Sequence, residues 1–133
     1  MNLTDQEFEN MVDEAWNKIP EHFKTEMENV DIRIEMRPTP DQLQRVKAPG
    51  TLLGLFEGFA KGAWGQATMG TQPSKISLFQ EPLLHSAQTL EALQNLIQEV
   101  LMHEVGHYFG YNDDDMFILD QKLRTRLHNH KGQ

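Results

Sequence analysis

Residues 102–115, Met-His-Glu-Val-Gly-His-Tyr-Phe-Gly-Tyr-Asn-Asp-Asp-Asp, constrain what this chain can fold into more than any other stretch. On an α-helix, at roughly 100° per residue, His103 and His107 project about 40° apart and one turn above each other, so both imidazoles can reach one metal ion. Glu104 lies about 60° round from His107, beside such an ion and not in the position of a third ligand. Two histidines holding an ion whose water gives its proton to a neighbouring glutamate is the arrangement of a zinc hydrolase. Gly110 permits a positive φ that ends the helix and turns the chain back. After that turn Asp113 can close the site, or Asp114 if the helix runs straight on.

The residues before the motif support the helix. Across 89–109, Leu90, Leu93, Leu96, Ile97, Val100, Leu101 and Tyr108 fall on one stripe, with Thr89 as N-cap. The stripe centres roughly 80° from the midpoint of the two histidines, and Glu104 falls inside it. The triplet therefore points at or beside the core. Two imidazoles and a carboxylate turned inward are costly to desolvate without a partner, and a divalent cation supplies one.

The run His103-Glu104-Val105-Gly106-His107-Tyr108-Phe109-Gly110-Tyr111-Asn112-Asp113 reads H-E-x-x-H-x-x-G-x-x-D, and with the chain length and the motif's place near the C-terminus it resembles the small bacterial zincin-like metallopeptidases, or minimal zincins. The likeness is sharpest over residues 76–115. It implies zinc (Zn2+) bound by His103, His107 and Asp113, with Glu104 as general base. It also implies an α+β fold, in which a small mixed sheet of about three or four strands packs on helices that include the metal-binding one. In zincins an edge strand borders the cleft, and an extended peptide can add to it by backbone pairing. The strand preceding the metal helix, Lys75–Gln80, is the candidate for that role.

Composition narrows the chemistry. With 133 residues the chain is expected to form a single domain over 1–133. A formal charge of −8 argues against a nucleic-acid footprint and against anionic membranes. There is no cysteine, so a metal must sit on nitrogen and oxygen ligands. The acidic start, without a basic region followed by an apolar stretch, and the lack of a spanning run lead to an expectation of a cytoplasmic protein with no membrane partner. Oligomeric state is not legible.

Upstream, Thr4-Asp5-Gln6-Glu7 has the form of a capping box that opens a helix over 5–18, with Phe8, Met11, Val12, Ala15, Trp16 and Ile19 at helical spacing. Pro20 suits the first turn of a short helix over 20–28, with Phe23 and Met27 facing in. Ile32, Ile34 and Met36 alternate with charged residues, which predicts a strand over 30–36. A helical turn over 41–47 leads to Pro49-Gly50 and a second strand over 52–56, where Gly54 marks a bulge or a close backbone approach. Glu81-Pro82 ends the third strand, and 81–88 reads as a connection.

Four side chains keep two readings each. Phe59 and Trp64 cover the core or line a cleft. His85 is a polar rim residue or an oxyanion donor, and Tyr111 packs or assists an oxyanion. Residues 114–127 read as a last helix.

Two histidines and a carboxylate leave a fourth zinc position for water. Glu104 then accepts the water's proton and delivers it to the leaving amine, so hydrolysis of a peptide or unfolded protein segment is the leading expectation. The alternatives are a zinc-binding module of the same fold with little or no catalysis, which the short chain's limited pocket wall would suit, and a metal-free structural module.

Overall fold

The computed structural model describes residues 2–46, 52–58 and 74–110. Within them the order is α1 (Asp5–Asn17), α2 (Glu21–Thr25), β1 (Val30–Glu35), α3 (Pro40–Arg45), β2 (Gly54–Glu57), β3 (Ser74–Phe79), α4 (Gln80–Ser86) and α5 (Leu90–Tyr108). The fold is α+β, with a three-stranded mixed sheet packed against helices.

Local signals set most of the boundaries. Thr4 Oγ1 accepts from the Glu7 amide while Glu7 Oε1 accepts from the Thr4 amide, so two amides at the start of α1 are satisfied reciprocally. Thr39 and Gln42 repeat the device on α3, where Pro40 takes a position that needs no amide donor. Thr89 caps α5 by accepting from the Ala92 amide. At the other end of α5, Gly110 has a φ of 89°, the left-handed turn expected of it. Among the described residues a Cβ there would meet nothing within 4 Å, so the glycine serves the turn.

The strand order is β1-β3-β2, with β1 parallel and β2 antiparallel to β3. The register sets Ile32 beside Ile76, Ile34 beside Leu78 and Phe56 beside Ile76, so these apolar residues share one face. On that face α1 and α5 close the core with Phe8, Val12, Leu93, Ile97 and Leu101. Each such aliphatic or aromatic side chain removed from water contributes on the order of 1.5–3 kcal/mol. The opposite face holds buried Ser77 and Phe79 and, at its Lys75 end, a cluster of charges. Lys75 stands between Glu35 at 3.8 Å and Glu57 at 3.7 Å. Gln42 and Arg45 donate to the two oxygens of Glu57 and so tie α3 to β2.

Five expectations change. β3, the strand expected to border the cleft as an edge, is central: its backbone groups are paired with β1 on one side and β2 on the other, and Ile76, Ser77, Leu78 and Phe79 are all buried. Among the described residues the edge nearest α5 is β2. The expected connection over 81–88 is largely helix α4: Pro82 falls in its first turn, where proline is tolerated, so it ends β3 without preventing a helix. Met36 is 49% exposed, since β1 stops at Glu35 and its alternation ends there. Leu90 is 54% exposed: as the first helical residue its side chain leans back past the start of α5. The α2 helix also closes earlier than 20–28, yet Met27 still reaches the core.

Candidate metal centre

The last two turns of α5 carry a polar cluster on a helix whose earlier turns are core. Leu93, Ile97, Leu101 and Val105 are buried at helical spacing, and Glu104, on the same side, is only 8% exposed. His103 and His107 are half-buried, with ring centroids 4.8 Å apart. One potential ligand atom from each of His103, Glu104 and His107 lies within 4.8 Å of the others.

The carboxylate is held by the sheet edge. The Phe79 amide donates to Leu53 O, so odd-numbered residues of β2 turn their backbone groups toward β3 and Gly54 and Phe56 turn theirs outward. The outward Phe56 amide donates to Glu104 Oε1 at 2.9 Å. The Phe56 ring packs edge-on against Tyr108 at 5.9 Å, and the Tyr108 hydroxyl donates to Glu26 O at 3.2 Å. Strand β2, the C-terminal end of α5 and α2 are thereby fixed to one another. Between β2 and α5 lies a cleft of about 480 Å³ lined by Val46, Leu52, Gly54, Leu55, Phe56, His103, Glu104 and His107.

This donor set suits a borderline cation. Two imidazole nitrogens four residues apart with a carboxylate beside them, and no thiolate anywhere in the chain, match the nitrogen and oxygen ligation of zinc. The burial of Glu104 is met in part by the Phe56 amide, and a bound cation adds charge compensation.

Comparison with known sequences decides the family. Residues 27–122 match the family model described as zincin-like metallopeptidase. The chain belongs to that family. No curated protein sequence matches this zincin-like chain. Among solved structures it is similar to a conserved hypothetical protein from Thermo thermophilus, at 22% identity and a TM-score of 0.53, over 79% of this chain and 92% of the other. That likeness bears on the fold alone.

Of the predicted site residues, the structure brings together His103, Glu104 and His107. Asp113, its alternative Asp114, Tyr111, Phe59, Trp64 and the last helix lie outside the described residues. His85 is exposed on α4, and the described lining of the cleft does not include it. The sequence reading did not single out Phe56, whose part is played by its backbone. Gly54 was the available signal, a glycine inside an apolar strand. Among the described residues no helix is long and apolar enough to cross a membrane.

Proposed function

We propose that this zincin-like protein is a zinc-dependent peptidase that hydrolyses peptides or unfolded protein segments. The observation that carries the reading is a buried glutamate gathered with two imidazoles at the floor of a cleft bounded by an edge strand. His103 and His107 supply two ligands, and Asp113 supplies the third. When bound, the ion makes its water acidic near neutral pH and polarises a carbonyl oxygen. Glu104 takes the proton of the attacking water and passes it to the leaving amine. Val46, Leu52 and Leu55 offer apolar wall on the β2 side of the cleft, and the outward backbone groups of Gly54 and the Phe56 carbonyl are placed to pair with an extended peptide.

The test joins metal analysis of untagged protein with cleavage of a peptide library by wild type and Glu104→Gln. Stoichiometric zinc together with cleavage lost in the variant supports the proposal. Stoichiometric zinc with no cleavage by wild type moves the protein to a zinc-binding module of the same fold. Absence of any divalent metal removes both readings.

A further inference from the structure

We infer that Gly54 is a positioning residue for Glu104: by carrying no side chain it lets β2 close on α5 until the Phe56 amide takes one carboxylate oxygen. This rests on the peptidase reading for its catalytic consequence, while its structural part stands on the contacts themselves.

Neither backbone freedom nor a bulge explains this glycine. Among the described glycines only Gly58 and Gly110 have positive φ, and the β2–β3 register runs unbroken from Gly54 beside Leu78 to Glu57 beside Lys75. Space explains it. A Cβ at position 54 would stand 2.6 Å from Val100 Cγ1, 3.3 Å from Ser77 O and 3.4 Å from Glu104 Cγ.

The neighbours have little room to yield. Val100 lies one turn before Glu104 on α5, and a β-branched side chain on a helix is held to essentially one rotamer. Ser77 O is backbone of the central strand. Ordinary contact begins at 3.4 Å, so a methyl group at 54 requires strand and helix to part by about 0.8 Å. From its present 2.9 Å, the bond between the Phe56 amide and Glu104 Oε1 would then be stretched past useful length. The methyl group itself would stand only in ordinary contact with Glu104 Cγ, so its effect on the base comes through the parting of strand and helix.

The Phe56 amide is thus an orienting donor for the base. It fixes one oxygen and, with the Cγ position, the plane of the carboxylate on the cleft floor. Because the amide is spent on Glu104, a peptide laid along β2 finds its partners in the Gly54 backbone and the Phe56 carbonyl and not in the Phe56 amide.

The experiment compares wild type, Gly54→Ala, Val100→Ala and the double variant Gly54→Ala/Val100→Ala, in which the 2.6 Å contact is relieved. Two readouts are taken on zinc-loaded protein, kcat and KM for a cleaved peptide and NMR hydrogen exchange of the Phe56 amide. Misplacement by about 1 Å costs on the order of 100-fold, so Gly54→Ala is expected to lower kcat by about that factor, with KM within about threefold and zinc retained. Its Phe56 amide exchanges at least about tenfold faster, as expected for loss of a buried hydrogen bond. Val100→Ala alone leaves both readouts near wild type, and the double variant recovers both.

An unchanged kcat or unchanged Phe56 exchange in Gly54→Ala overturns the inference, as does a loss that the second substitution fails to recover. If wild-type protein cleaves nothing, the peptidase reading falls, and exchange alone decides the structural part. Fast exchange in Gly54→Ala with recovery in the double variant upholds it, and equal rates in all four proteins overturn it.

Discussion

β1 and β2 flank the same central strand, and among the described residues each has one side without a partner strand. The first five residues of β1 alternate in exposure, and the exposed Asp31 and Arg33 side chains pair with each other at 2.7 Å. Charges on an edge discourage another chain from pairing there. The four residues of β2 are half-buried throughout. Its outward Phe56 amide is accepted by Glu104, and its last residue, Glu57, is held by Gln42 and Arg45. One edge is closed by charge and plays no part in the cleft; the other becomes the wall of the site because a helix carboxylate occupies its backbone. An edge strand is therefore made useful by what the helix presents to it.

Substitution at the β2 side should give the largest effect. Glu104→Gln is expected to lower kcat by about 10²–10⁴, the range of general acid–base catalysis, while zinc content stays stoichiometric. Arg33→Ala on the β1 edge should leave kcat unchanged, and a loss there would break the contrast. Truncating the strand shared by both edges comes next. Ile76 is fully buried, so Ile76→Ala should destabilise by about 2–5 kcal/mol in denaturant titration.

Chelation tests whether the site also ties the fold together. An ion present at 100 times its dissociation constant contributes about 2.7 kcal/mol, so chelator should lower the Tm of wild type and leave His103→Ala unmoved. An equal response in both would disconnect the metal from the motif. Arg45→Ala, which removes one of the two side-chain ties from α3 to Glu57 and leaves that of Gln42, should cost at most about 1 kcal/mol and less in high salt, since Arg45 is mostly exposed.

The smallest effect sits away from both edges. The Thr4 amide, and then the Thr4 hydroxyl, hold the Glu7 carboxyl below its ordinary range. A lowered folded value means that this stabilisation is present at neutral pH and is lost as pH falls through it. Glu7→Gln should flatten that part of the Tm profile on the acid side, and an identical profile would show that the capping charge contributes nothing.

Much of this was legible because it is local. The capping box at Thr4, the Thr89 cap, the alternation of Ile32 and Ile34 and the Gly110 turn depend on neighbours within a few residues. The inward turn of Glu104 followed from the same periodicity that buries Leu93, Ile97 and Leu101. Misreadings arose where a signal has two uses: Pro82 both ends β3 and suits the first turn of α4.

By itself the sequence determined the helix, the spacing of His103 and His107 on it and the acid beside them, since helical geometry converts residue intervals directly into directions. Only the tertiary structure decided that β3 lies in the middle and β2 at the edge, and that Phe56 gives its amide to Glu104 across 48 positions of sequence. The physical reason is that strand order follows from which segments, far apart in sequence, pair their backbone groups, and that a hydrogen bond from the main chain leaves no trace in the identity of the residue that donates it.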